Sequence, residues 1–173
     1  GQRVCAYFAT IGVVACLDTD GKEIWRRDVG AYSTSSSFGT GSSLASARGK
    51  VFLQCDNQQK SFLLAMDAEN GKKIWRVDRL SRTCWSSPLV WKNRLRTELV
   101  VCGSGDVAGY DLETGKVLWR LRGLGGSFSS SPASDENRIY IGNSGPGRSG
   151  PLVAVNAGAA GELSLQDSGP DSG

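Results

Sequence analysis

Histidine is absent from the 173 residues. That removes Ser-His-Asp and Cys-His nucleophile pairs, every His-ligated zinc or iron site, and the usual switch near neutral pH. Long hydrophobic runs are lacking too. The longest, Ile11 to Leu17, falls far short of the roughly 20 residues of a bilayer-crossing helix, and no charged-then-apolar leader precedes it. No membrane span is expected. Charge of one sign is scarce, because 20 basic and 17 acidic residues leave only +3, too little to argue for a nucleic-acid partner. The five cysteines, Cys5, Cys16, Cys55, Cys84 and Cys102, include no adjacent pair and no C-x-x-C, so neither a zinc ribbon nor a thioredoxin-type motif is written here. Most lie in apolar strand-like runs and read as buried small hydrophobes. The alternative is one cross-strand disulfide, for which Cys5 and Cys16 are the best pair because they flank a tight turn. Helical periodicity is missing throughout.

What the chain does have is a repeat. Met66-Asp67-Ala68-Glu69-Asn70-Gly71-Lys72-Lys73-Ile74-Trp75 returns as Tyr110-Asp111-Leu112-Glu113-Thr114-Gly115-Lys116-Val117-Leu118-Trp119, after a shorter copy from Leu17-Asp18 through Gly21 to Trp25. A decayed fourth copy runs from Val155-Asn156 through Gly161-Glu162-Leu163. In each clear copy the Asp opens a turn by bonding backbone N–H groups two or three residues on. Gly takes the left-handed position, and a strand carrying the Trp follows. Asp18, Asp67 and Asp111 are therefore structural, and the indoles of Trp25, Trp75 and Trp119 are architecture, each offering a large apolar face and one N–H that needs a partner.

Ser42-Ser43-Leu44, Ser86-Ser87-Pro88 and Ser130-Ser131-Pro132 recur at intervals of 44 residues. The Gly/Ser/Thr-rich stretch 29–43 is thus a loop feeding a strand and carries about six residues more than its two counterparts, which places the excess on a surface face. Each unit holds four strand-like runs, and proline is tolerated only at the first because it removes a ladder donor. Four short antiparallel strands at this period are the signature of β-propeller blades. The expected units are a partial blade over 1–28 and blades over 42–78, 86–122 and 130–165. About 3.5 to 4 blades make a partial ring of a seven- or eight-bladed propeller, completed by the rest of a longer chain or by a second copy.

The pattern Ala65-x-Asp67-x-x-x-Gly71-x-x-x-Trp75, nearly matched by Gly109-x-Asp111-x-x-x-Gly115-x-x-x-Trp119, resembles the tryptophan-docking motif of the pyrroloquinoline-quinone-like propeller repeats. The resemblance runs from Arg3 to about Leu165. The departures are a one-residue deletion before Gly21 with Cys16 at the Ala position, and Asn156 and Ser164 at the Asp and Trp positions of the last copy. That superfamily holds quinoprotein alcohol dehydrogenases and the periplasmic scaffold lipoprotein of the outer-membrane β-barrel assembly machinery. It implies a periplasmic or cell-envelope location.

A quinoprotein site, as the resemblance implies it, needs a stacking Trp, a ring of adjacent disulfide-bonded cysteines, a catalytic Asp, and Glu and Asn ligands for Ca²⁺. No adjacent cysteines occur, no acid lies in a Ser-Ser-Pro strand, and Asp56-Asn57 and Asp106 do not have the spacing of a calcium loop. The Gly-rich 144–150 stretch lacks the Lys-Ser/Thr ending of a phosphate loop and reads as a hairpin connection. The expectation is a non-catalytic scaffold or binding module with no cofactor, no metal and a protein or peptide partner. The alternative is part of a quinoprotein oxidoreductase using pyrroloquinoline quinone with calcium. A basic rim of Arg26, Arg27, Arg79, Arg82, Arg120 and Arg122, with Lys60 and Arg148 on neighbouring loops, would attract acidic partners or shield strand edges. Trp85 and Trp91 flank one Ser-Ser-Pro element and are unmatched in the other units; Trp85 either faces the central cavity beside this rim or fills space between blades.

Overall fold

The computed structural model describes residues 2–145 and 148–165. The described residues are all-β apart from a single 3-10 turn at Ser35–Ser37. Its strands are β1 (Arg3–Phe8), β2 (Val13–Asp18), β3 (Glu23–Asp28), β4 (Ala45–Ala47), β5 (Lys50–Cys55), β6 (Phe62–Asp67), β7 (Lys73–Asp78), β8 (Leu89–Lys92), β9 (Thr97–Cys102), β10 (Asp106–Asp111), β11 (Val117–Arg122), β12 (Ala133–Ser134), β13 (Arg138–Gly145), β14 (Arg148–Asn156) and β15 (Gly161–Leu163). They form four sheets in the orders β1-β2-β3, β4-β5-β6-β7, β8-β9-β10-β11-β15 and β12-β13-β14. No helix of the described residues is long and apolar enough to cross a membrane.

The sheets stack face to face as propeller blades do, so the middle strands are covered on both sides. From Val51 to Cys55 and from Glu98 to Cys102 every residue is buried. This is why these runs, Gln54 and Glu98 apart, are apolar on both faces instead of alternating. Alternation survives as a choice of neighbour. Val51, Leu53 and Cys55 pack against Val14, Cys16 and Trp25 of the first sheet, whereas Phe52 faces Leu99, Val101 and Tyr110 of the third. A third core joins Trp91, Val100, Cys102 and Trp119 to Ile139, Ile141 and Val155 of the fourth sheet. There are thus three cores at three seams, one between each pair of successive sheets.

The outer strands bury little but their indole. In β3 and β7 only the Trp is fully buried. The residue before it is a bulge each time: Cys16 faces Trp25 and Leu17 faces Glu23, with the same skip at Ala65/Met66 and Gly109/Tyr110. A bulge twists the strand locally and re-aims the next side chain. Here it turns the indole toward the following blade.

Cys5 and Cys16 pair directly across β1 and β2 and are disulfide-bonded, while Cys55, Cys84 and Cys102 are buried thiols. Both sequence readings of the cysteines therefore hold, each for different residues. The first sheet has three strands, leaving Val4 and Phe8 of β1 exposed. The fourth sheet departs from the repeat. The strand after its Asn156 turn does not return along β14; β15 pairs in parallel with β11 instead, matching Trp119 with Gly161 and Leu121 with Leu163. In the expected 144–150 connection, the tip at 146–147 lies outside the described residues, as do the Arg148 side chain and the tail 166–173.

Candidate functional site

The turns that carry the repeat motif are built the way their residue types require. Asp67 Oδ1 accepts from Glu69 N at 2.7 Å and Asn70 N at 3.1 Å. Asp18 Oδ1 accepts from Asp20 N and Lys22 N, and Asp111 Oδ1 from Glu113 N, Thr114 N and the Thr114 hydroxyl. Led by that hydroxyl, these donors hold the Asp111 carboxyl below its ordinary value. Gly21, Gly71 and Gly115 all have positive φ.

The Trp25 indole donates to Ala68 O at 3.0 Å and lies flat on Gly71, where a Cβ would stand 2.5 Å from the ring. Trp75 repeats the arrangement with Leu112 O at 3.0 Å and Gly115 at 2.7 Å. Trp119 is as buried, but its Nε1 donates to the Glu98 carboxylate at 2.9 Å, inside its own sheet. Glu98 also accepts from Asn93 and Arg96, and Arg96 reaches over to Ala159 O of the fourth unit.

The serine elements stitch the inner edges. Ser43 N donates to Ser87 Oγ at 2.9 Å and Ser87 N to Ser131 Oγ at 3.0 Å. Sequence reasoning found the 44-residue spacing but not these bonds; a hydroxyl recurring at the repeat period was the available signal.

The candidate site is a hollow of about 480 Å³ on one face of the second seam. Arg79 leaves the end of β7, Ser104 and Asp106 come from the β9–β10 hairpin, and Arg120 and Arg122 stand on β11. Its floor is a buried polar cluster. Arg79 Nε and Nη2 donate to the two Asp56 oxygens at 3.0 and 3.3 Å, and Nη1 donates to the Tyr110 hydroxyl at 2.9 Å. Gln54 Nε2 donates to Asp56 and to Cys102 O. Burial pushes the Asp56 carboxyl up against the opposing pull of Arg79, and the adjacent carboxylate keeps that guanidinium charged.

Arg79 therefore leaves the expected rim. Its side chain is 4% exposed and spent on Asp56, because the connection after β7 turns inward over the end of β5. Arg82 and Arg122 are exposed. Arg122 lies 3.5 Å from Glu162, and Arg120 Nε 3.4 Å from Asp106. Trp85 is half-buried under the long first connection. Its indole donates to Gly39 O at 3.0 Å and its ring meets Phe38 at 6.4 Å, so the extra residues of that loop cover one of the two tryptophans without a counterpart; the other, Trp91, is buried and donates to Asp135 O of the fourth unit. Phe38 itself stays 78% exposed and Leu80 is fully exposed. Burial also pushes the Cys84 and Cys102 thiols up to about 11 and 12, which leaves them protonated at neutral pH.

Three solved structures share this architecture. BamB from Moraxella catarrhalis is 16% identical over 88% of this chain and 41% of its own, with a TM-score of 0.60. Quinohemoprotein alcohol dehydrogenase ADHIIG from Pseudomonas putida HK5 is 24% identical over 86% and 30%, with a TM-score of 0.63. The quinohemoprotein alcohol dehydrogenase from Comamonas testosteroni is 21% identical over 80% and 27%, with a TM-score of 0.59. This chain thus spans less than half the length of each, and at these identities the likeness establishes a β-propeller fold. No curated protein matches the chain. The family model for outer membrane protein assembly factor BamB matches residues 11–168, and the chain belongs to that family of pyrroloquinoline-quinone-like repeats.

Proposed function

We propose that this chain is part of a non-catalytic β-propeller scaffold of the cell envelope that binds a protein partner through the face bearing the 79–88 connection. The observation that carries this reading is the side-chain display on that face: Leu80 and Arg82 exposed, Phe38 exposed over Trp85, and Arg122 at the lip of the hollow. Exposed apolar and arginine side chains side by side are the composition of protein-binding patches. The family, named for an outer membrane protein assembly factor, agrees with a role in assembling other proteins.

The quinoprotein alternative needs residues that fit pyrroloquinoline quinone and calcium, and those present do not fit. The buried acids are already engaged: Asp56 by Arg79 and Gln54, and Glu98 by Asn93, Arg96 and Trp119. Among the described residues no group of three His, Cys, Asp or Glu side chains could hold a cation.

Titrating the chain with the quinone and Ca²⁺ while following tryptophan fluorescence and dye-linked ethanol oxidation separates the two. No saturable quench and no dye reduction are expected. A micromolar quench with turnover would overturn the scaffold reading. In cells, a photo-crosslinking residue at position 80 should give an adduct with one discrete protein that the Phe38→Ser change removes, while the same residue at Ile74 on the outer strand gives none. Equal adducts at both positions would remove the assignment to this face.

A further inference from the structure

We infer that the hollow at the second seam is a carboxylate-reading subsite, in which Arg120 and Arg122 take an acidic side chain of an extended polypeptide; this rests on the scaffold reading above. The volume of about 480 Å³ lies in the range of small-ligand sites, roughly 300 to 1,000 Å³. A guanidinium carries five N–H groups in a planar fork that matches a carboxylate. Arg79 is consumed by Asp56 and Tyr110. Arg120 is engaged only loosely: among the described residues its buried Nε has no well-aligned acceptor, Asp106 standing 3.4 Å away, and its side chain is 27% exposed toward the hollow. Among the described residues Arg122 has one ion-pair partner, Glu162, at 3.5 Å and largely in solvent.

Arg120 and Arg122 are two residues apart on β11, so their side chains rise from the same face of the sheet. One carboxylate can sit between their forks. The base beneath is rigid, because Arg79 is clamped from two sides and Ser104 N donates to Ser81 Oγ at 2.9 Å. The chain also supplies a precedent. Glu162 in β15 stands opposite Arg120 in the parallel ladder and pairs with Arg122, which is how a carboxylate on an extended strand meets these residues.

Charge then narrows the ligand class. Asp106 and Asp78 also line the hollow, so a dianionic phosphate or a polyanion would meet repulsion that a single carboxylate can avoid. The occupant is therefore a Glu or Asp side chain carried by an extended backbone.

The probe is a capped Gly-Glu-Leu tripeptide, titrated at low salt while the Arg120 and Arg122 Nε–H resonances are followed. Both should shift and saturate. The Gly-Gln-Leu analogue and the Arg122→Gln variant should each bind about tenfold more weakly, the loss expected for a charge-assisted bidentate contact. Arg122 is 63% exposed, so this variant should keep its fold, checked by an unchanged backbone amide spectrum. Glu162→Gln should bind several-fold more tightly because it removes the internal competitor. Equal binding of the Glu and Gln peptides, or an affinity unmoved by both Arg122→Gln and Glu162→Gln, would overturn the inference. Free acetate binding as tightly as the peptide would overturn its polypeptide part. A failed subsite with the position-80 adduct intact would leave the scaffold reading standing.

Discussion

At the first two seams the residue facing the motif aspartate is basic, and at the third it is acidic. Arg3 faces Asp18 and Lys50 faces Asp67, and each reaches over to a glutamate of the next turn: Arg3 to Glu69 at 3.4 Å and Lys50 to Glu113 at 2.7 Å. Glu98 faces Asp111 in the same place but turns inward to Trp119 and Arg96. The residue equivalent to those glutamates in the fourth unit is Gly158, which offers no charge. Two seams are thus closed by the motif indole on the next blade's glycine turn, and the third by a buried carboxylate, one arginine, a borrowed strand and a different indole, Trp91, on Asp135 O. The repeat sets where the blades meet, and the residue opposite the aspartate selects how they are joined.

The largest test strips the indole from a regular seam. Trp75→Ala removes a buried ring, its bond to Leu112 O and its packing on Gly115. About 3 to 5 kcal/mol should be lost, the range for large-to-small aromatic changes in a core. Urea unfolding reads this directly, and a loss below 1 kcal/mol would mean that the ring is not what joins those blades.

The glycine beneath the ring separates packing from backbone strain. Gly71 and Gly21 both have positive φ, but a Cβ on Gly71 would stand 2.5 Å from the Trp25 ring, whereas at Gly21 none of the described residues lies within 4 Å. Gly71→Ala should cost about 2 to 4 kcal/mol, strain plus overpacking, and Gly21→Ala about 1 kcal/mol from strain alone. Equal losses would show that the blade contact contributes nothing at that position.

Glu98→Ala attacks the third seam alone. It leaves the Trp119 N–H and the Arg96 guanidinium without their carboxylate, and a cost near 2 kcal/mol is expected, because buried donors lose an acceptor while Arg96 remains partly solvated. Lys50→Ala, at the matching position of the second seam, removes an ion pair whose lysine is 12% exposed but whose Glu113 is half in solvent, and should cost about 1 kcal/mol because the glutamate left behind is rehydrated. Hydrogen exchange at the amides of β11 should rise in the first variant and not in the second. The reverse pattern would end the idea that the seams are joined differently.

These contrasts explain how much the sequence could say. The Asp-Gly-Trp spacing is local chemistry: a turn acceptor, a left-handed glycine and a large ring each leave a mark in the residue types, so all-β blades were legible. Cys5 opposite Cys16 was legible because a hairpin fixes its own register. Arg79 was not. It reads like any rim arginine, and only the path of the connection after β7 brings it under the surface onto Asp56, a residue in another loop. The choice of Trp119 for Glu98 was hidden for the same reason, since a carboxylate inside an apolar run is informative only once its cross-strand neighbours are known. The strand β15 could not be assigned to β11 from its sequence, because its three residues, Gly-Glu-Leu, carry no register signal strong enough to select a sheet.

The smallest effect compares two turns. In Asp111 the folded carboxyl lies below its ordinary value, through the Thr114 hydroxyl first and the Thr114 and Glu113 amides next. A depressed folded value means that the stabilisation is fully present above the unfolded carboxylate value, near pH 4, and is lost as pH falls through the folded one. Asn156 holds the matching place in the fourth unit; it has nothing to titrate, and its Oδ1 accepts from Arg138 Nε at 3.1 Å. Asp111→Asn should therefore cost about 0.5 kcal/mol at neutral pH, as for a weakened turn cap. The difference from wild type should vanish as pH falls from about 4 toward 2. Because other carboxylates also titrate there, the quantity to measure is the wild type minus variant difference in urea midpoint at pH 7, 5 and 3. Asn156→Asp, which would have only the exposed Arg138 guanidinium beside it and neither the hydroxyl nor the paired amides, should add less acid-sensitive stability than Asp111→Asn removes. A gain there as large as the loss at Asp111 would show that the bare sequence position sets the effect, and that the donors gathered around Asp111 do not.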